Sequence, residues 1–173
     1  VAELVMGLII SVDRNLPENY YTLKNGQWNK QELSKGNGLK GRTLGIIGFG
    51  NIGKELAKRA IGFEMNVLFH SIEYKENQEI KIFDKNCKSV TLDNLLKLSD
   101  IVSVHMPSTS STKNFINSNF LNKMKKMSTL VNTSRGDLVL ESDLINHLNN
   151  NKDFKYAADC FQNEPKIGKA VFK

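Results

Sequence analysis

Thr43-Leu44-Gly45-Ile46-Ile47-Gly48-Phe49-Gly50-Asn51-Ile52-Gly53-Lys54-Glu55-Leu56-Ala57 is the stretch whose reading decides the fold. An apolar run at residues 44–47 suits a buried strand, three glycines follow in Gly-x-Gly-x-x-Gly spacing, and residues 52–61 repeat apolar side chains at helical spacing. In such a unit Gly48 permits the tight bend, Gly50 lets a pyrophosphate approach the backbone, and Gly53 lets the helix pack closely on the strand. The free amides at the helix start carry partial positive charge and favour an anion. Asn51 and Ile52 complete the expected cofactor-binding turn. The glycines alone would be a weak signal, and the flanking strand and helix give them their meaning.

Outward from this unit, short apolar runs alternate with longer amphipathic stretches, as in strand and helix units of a parallel sheet. About six strands are expected, at residues 44–47, 66–69, 89–90, 101–105, 129–132 and 156–159, with helices at 52–61, 92–98, 118–124 and 141–149. Thr91 and Ser118 are placed as helix caps, since a hydroxyl can accept a first-turn amide. Ahead of the sheet, one helix ends near residues 14–16 and a second runs from Pro17 to about Lys24. Residues 25–41, rich in glycine, read as a loop around an anchor at Trp28, and residues 74–88, charged and aperiodic, as a variable connection. The expected fold class is α/β, a Rossmann-type doubly wound parallel sheet in three layers, with residues 1–173 forming one NAD(P)-binding domain.

Composition narrows the classes further. With 173 residues, 40% hydrophobic and 24% charged, and only 3 Pro, the chain excludes collagen-like, coiled-coil and disordered classes. The apolar run at residues 4–10 is too short to span a bilayer. The net charge of +6 invites a nucleic-acid reading, but the basic residues are scattered apart from Lys123, Lys125 and Lys126, so neither nucleic acid nor membrane is expected as a partner. Cys87 and Cys160 match no metal or redox spacing, which predicts no metal site and a reducing, cytoplasmic setting. Val1 at one end and Phe172-Lys173 at the other suggest a fragment of a longer protein.

In dinucleotide folds the second strand ends on an acid that accepts hydrogen bonds from the adenosine ribose. Here Ser71 holds that place and Glu73 follows two residues later, while His70 and Lys75 offer positive charge. The choice between NAD and NADP stays open, with NAD favoured because Glu73 can fold back and no Arg follows the strand.

Taken together, the residues resemble the D-isomer-specific 2-hydroxyacid dehydrogenase family, nearest to its D-3-phosphoglycerate dehydrogenase branch. The resemblance runs through Gly41-Arg42-Thr43-Leu44-Gly45 to Gly53, Val104-His105-Met106-Pro107, Val131-Asn132-Thr133-Ser134-Arg135-Gly136, and Ala158-Asp159-Cys160-Phe161 with Asn163-Glu164-Pro165. It implies hydride transfer between a nicotinamide and C2 of a D-2-hydroxy acid, with D-3-phosphoglycerate and serine synthesis first. Glyoxylate or hydroxypyruvate reduction, and an NADH-sensing corepressor that binds peptides, stand as alternatives.

The resemblance also implies roles. Arg135 would clamp the substrate carboxylate and Glu164 would hold and polarise a catalytic histidine. Asp159 would bind the nicotinamide carboxamide, and His105, Pro107 and Thr133 would line the cofactor site. A planar guanidinium suits a carboxylate because it binds in a forked, orienting way. None of His70, His105 and His147 follows Glu164, so the proton-transfer histidine is expected beyond this chain, which by itself would bind cofactor without turnover. Asn51 stands where many relatives carry Arg, and Cys160 is read as a small buried hydrophobe. The helix at residues 1–14 is more apolar than a monomer surface tolerates, and a homodimer is expected.

Overall fold

The computed structural model describes residues 1–28, 30–33 and 35–164. Pro165, from the motif around Glu164, and the chain end at Phe172 and Lys173 lie outside the described residues. Two helices, α1 (Ala2–Asp13) and α2 (Leu16–Lys24), lead through a short α3 (Lys30–Leu33) into β1 (Thr43–Ile47) and α4 (Asn51–Gly62). Then follow β2 (Asn66–His70), β3 (Glu79–Ile82), β4 (Lys85–Ser89), α5 (Leu92–Leu98) and β5 (Ile101–Val104). The last elements are α6 (Ser118–Lys123), β6 (Thr129–Asn132), a 3-10 turn (Gly136–Leu138), α7 (Glu141–Asn150) and β7 (Lys155–Ala158).

Among the described residues seven strands form one sheet in the order β3-β4-β2-β1-β5-β6-β7. All neighbours run parallel except the β3-β4 pair. The direction of winding reverses between β1 and its neighbours β2 and β5, which opens the crevice where ligands of doubly wound sheets bind. One face of the sheet packs against α1 and α4 through Val5, Ile9, Leu56 and Ala60. The other packs against α5, α6 and α7 through Leu95, Leu121, Leu130 and Leu144. Each fully buried aliphatic side chain of this kind contributes about 1.5–3 kcal/mol.

Several expectations are corrected. Residues 74–88 carry a β-hairpin, β3-β4, rather than an irregular connection, so the strands number seven and not about six. Its signal was weak because Phe83, at φ 53, makes the turn without a glycine, and the edge strand is largely solvated. Asn117, not Ser118, caps α6, its side chain accepting the amides of Asn119 and Phe120, while the Ser118 amide is taken by Asp143. Thr91 caps α5 as expected. Trp28 is no anchor, being 74% exposed. The apolar face of α1 is covered within the chain, where Ala2, Val5, Met6 and Ile9 are buried, so its hydrophobicity does not itself require a partner.

A polar clamp joins α1 to the entrance of β1. Asp13, buried at the helix end, accepts from Arg42 Nη1 at 2.9 Å and from the Gly38 amide at 3.0 Å. Asp100 accepts the Thr43 amide at 2.8 Å and pairs with Lys125 at 2.7 Å. Burial opposes its charge, but the Lys125 ammonium and the amide outweigh it and hold the carboxyl below its usual range. Lys123 likewise pairs with Asp93. Arg42→Ala leaves the Asp13 carboxylate buried without its cation, and is expected to cost about 3 kcal/mol. Urea unfolding checks this, and an unchanged midpoint contradicts it.

Candidate functional site

The turn after β1 is held from both sides. Gly48 adopts φ +90, its amide donates to the His70 carbonyl at 2.8 Å, and a Cβ here would collide with the His105 carbonyl. No L side chain fits that conformation and that gap together. Gly50 is different, because at φ -77 its conformation is ordinary, yet no protein atom lies within 4 Å of where a Cβ would stand. Gly50 is the N-cap of α4 and supplies no capping side chain, so the first-turn amides at Asn51, Ile52 and Gly53 face this open space. Gly53 presses on the Gly48 carbonyl and seats the helix against the turn.

At the end of β2, His70 Nδ1 lies 3.0 Å from the Val90 carbonyl, so this ring is tied to the loop after β4. Ser71 opens a turn closed by the Tyr74 amide at 3.2 Å, with Ile72 and Glu73 exposed at its tip. Tyr74 anchors the turn, meeting Phe69 and Phe49 edge-on while those two rings stack at 3.8 Å. Lys54 of α4 reaches over the Tyr74 ring at 5.8 Å, a cation-π contact that joins this turn to the helix. Tyr74 and Lys54 were not singled out from the sequence, because nothing in it signals that an aromatic outside the strands packs back on Phe49.

A cleft of about 370 Å³ lies beyond the strand ends, lined by Ile52, His105, Pro107, Thr133 and Arg135, with Val1 at its edge. His105 continues β5 by donating its amide to Ile47, and its Nε2 lies 2.9 Å from Ser103 Oγ. Burial pushes the His105 imidazole down to about 4, so the ring is neutral at physiological pH. Its Nδ1 and Thr133 Oγ1 are both buried without a hydrogen-bond partner among the described residues. Unpaired buried polar atoms are costly, and two lining one cleft fit a ligand that brings polar groups.

The β6 end builds the arginine segment. Asn132, fully buried, donates its amide to the Arg135 carbonyl at 2.9 Å and accepts from the Ser134 amide at 3.1 Å. Ser134 Oγ donates to the Val104 carbonyl, which stitches the segment to β5. The Arg135 side chain, exposed, donates to the Ser134 carbonyl at the lip of the cleft. Asp159, just past β7, is exposed, and the Glu164 carboxylate accepts the Phe161 amide of its own loop.

Neither Asp159 nor Glu164 lines the cleft described above. Both follow β7 on the segment of Cys160, whose thiol reaches the Asn132 carbonyl of the arginine segment. Burial, then the charges of Asp159 and Glu164, push the Cys160 thiol up to about 12. The thiol stays protonated and donates to the Asn132 carbonyl, half-buried rather than fully so.

A family model described as the D-isomer specific 2-hydroxyacid dehydrogenase, NAD binding domain, matches residues 6–172. The chain belongs to this family. Among known relatives, the hydroxypyruvate reductase of Thermotoga maritima is 41% identical over 95% of the chain and 52% of that protein. The D-3-phosphoglycerate dehydrogenase of Methanocaldococcus jannaschii is 36% identical over 95% of the chain and 31% of that protein. A glyoxylate reductase from Paecilomyes thermophila, seen in a crystal structure, superposes with TM-score 0.88 at 31% identity, covering 99% of the chain and 51% of its own. The chain therefore spans about half the length of these reductases or less.

As an NAD-binding domain of 2-hydroxyacid dehydrogenases, the chain offers features that fit the dinucleotide: an uncapped helix start, an open face at Gly50 and two unpaired buried polar atoms in the cleft. Gly50→Ala separates ligand from fold, since the added methyl meets no described atom beyond the neighbouring residues. It is expected to leave the melting temperature unchanged and weaken NADH binding by roughly 10- to 100-fold, as for a lost charge-assisted contact. Fluorescence titration checks this, and unaltered NADH affinity contradicts it.

Proposed function

We propose that this chain is the cofactor domain of an NAD-dependent dehydrogenase that interconverts a small D-2-hydroxy acid and its 2-keto acid. The observation that carries the reading is Arg135, exposed at the lip of the same cleft that Ile52, His105 and Thr133 line. When bound, NAD supplies the hydride acceptor in oxidation and NADH the donor in reduction. Gly50 and the α4 amides bind the pyrophosphate, Ser71 and Glu73 meet the adenosine ribose, and His105, Pro107, Thr133 and Asp159 border the nicotinamide. Arg135 grips the substrate carboxylate in a forked contact and so turns C2 toward the ring. With the dinucleotide bound, the nicotinamide would exchange hydride with C2, and a base of the protein would take the hydroxyl proton in oxidation and return it in reduction.

That base is an imidazole held by Glu164 and supplied from outside residues 1–173. The three histidines of the chain are unsuited to this role, since His70 is bonded to Val90, burial opposes the uptake of a proton by His105, and His147 packs edge-on against Phe154. For the substrate we place hydroxypyruvate and glyoxylate first, since the Thermotoga reductase is more similar to the chain, at 41% identity, than the Methanocaldococcus dehydrogenase at 36%, and the Paecilomyes reductase shares its fold over 99% of the chain. The phosphorylated acid, first by the sequence resemblance, stands second and is supported by the Methanocaldococcus relative.

We also propose a homodimer, now on a different element. Helix α2 has no buried residue and exposes Leu16, Tyr20, Tyr21 and Leu23, with exposed Trp28 nearby. Apolar exposure concentrated in this way marks an interface.

Full-length protein is expected to oxidise NADH with hydroxypyruvate or glyoxylate. Arg135→Gln is expected to lower kcat/KM for the acid by roughly 100-fold or more while NADH affinity holds. No turnover with these acids or with 3-phosphohydroxypyruvate contradicts the reading. Sedimentation velocity is expected to show a dimer that Tyr20→Glu with Tyr21→Glu converts to a monomer, and a monomeric wild type contradicts the interface.

A further inference from the structure

We propose that Glu141 is a positioning residue that sets the Glu164 segment against Arg135. This inference rests on the roles given above to those two residues. Strands β6 and β7 pair in register only as far as Asn132 and Ala158, so beyond them nothing in the sheet fixes how the two loops lie relative to each other. Arg135 and Glu164 both stand past that point, on segments that must be held by side chains.

Five contacts do the holding, and they converge on residues 160–162. Glu141 Oε1 accepts the Gln162 amide at 2.9 Å, an ionised acceptor on a backbone donor and so stronger than a neutral bond. The Gln162 side chain donates to the Val139 carbonyl at 2.6 Å and to Asn114 Oδ1 at 3.3 Å. Gly136, directly after Arg135, leaves no room for a Cβ against the Phe161 carbonyl, so the two loops are in backbone contact there. On the arginine side Asn132 fixes Ser134 and Arg135, and its carbonyl takes the Cys160 thiol.

Glu141 is the first residue of α7, where an acid is ordinarily explained by the helix dipole. Its carboxylate instead reaches across to Gln162, and Asp143 remains in the same turn to complement the dipole. The distinction matters because a dipole role predicts lost stability, whereas a positioning role predicts lost chemistry. A misplacement of about 1 Å at a reacting group can cost about 100-fold in rate. A carboxylate beside an imidazole also raises its pKa, so loosening Glu164 lowers the pH at which keto-acid reduction loses its proton donor.

The test compares Glu141→Ala and Glu141→Gln in the full-length protein, with NADH affinity and melting temperature measured alongside. Glu141→Ala is expected to lower kcat about 100-fold and move the alkaline limb of the reduction profile down by about one pH unit, with NADH affinity unchanged. Glu141→Gln keeps an acceptor oxygen and is expected to recover most of kcat and the limb. Hydrogen exchange at the Gln162 amide is expected to be slow in the wild type and faster in Glu141→Ala. Unchanged kcat and limb in Glu141→Ala overturn the proposal, as does a joint loss of melting temperature and NADH binding that Glu141→Gln fails to restore. If Gln162 exchange quickens while kcat and limb stay, the contact is real and its positioning role is refuted. A wild type that turns over no 2-keto acid removes the functional reading instead, and this inference with it.

Discussion

The structure depends on one close approach, that of Gly48 to the backbone at the end of β5. Its amide is bonded to His70 at the end of β2, and its missing side chain makes room for the His105 carbonyl. The turn is thus wedged between the two strands that flank β1, at the point where the winding of the sheet reverses. From there α4 can start only in one direction, with its uncapped amides over the crevice. The same contact places His105 in the cleft wall and fixes how far the arginine segment, stitched to Val104 by Ser134, stands from the helix.

Much of this was legible because the relevant physics is local. The strand, glycine turn and helix from Thr43 to Ala57 follow from periodicity and glycine spacing, and the parallel strands follow from short apolar runs. What escaped turns on geometry that residue type alone does not carry. The β3-β4 hairpin bends at Phe83 with positive φ, against the ordinary preference for glycine or asparagine, so no turn signal marked it. Trp28 looked like an anchor by residue type, and it is exposed. Ser118 and Asn117 are both competent caps, and only the geometry chooses between them.

The candidate site divides in the same way. His105, Pro107, Thr133 and Arg135, named from motifs, line one cleft together with Ile52. Gly48, named in the same way, packs its backbone on the His105 carbonyl, and Gly50 starts the helix that carries Ile52. Asp159 and Glu164 follow β7 and stand apart from the cleft, tied to it through Cys160, Asn132 and Gly136. The ties themselves, such as Glu141 to Gln162, span 21 residues and have no signature in a single sequence. Buried and half-buried polar side chains carry this wiring, since a donor or acceptor removed from water needs a partner. Among the described residues His105 Nδ1 and Thr133 Oγ1 find none, and both residues line the cleft.

A crystal structure of the chain with NADH tests the central claim most directly, that the Gly48 wedge and the strand ends around it form one dinucleotide crevice. The pyrophosphate is expected against the Gly50 face and the α4 amides, the adenosine ribose at Ser71 and Glu73, and the nicotinamide between His105, Thr133 and Arg135. A dinucleotide bound away from Gly50, or with its nicotinamide outside that cleft, would contradict it.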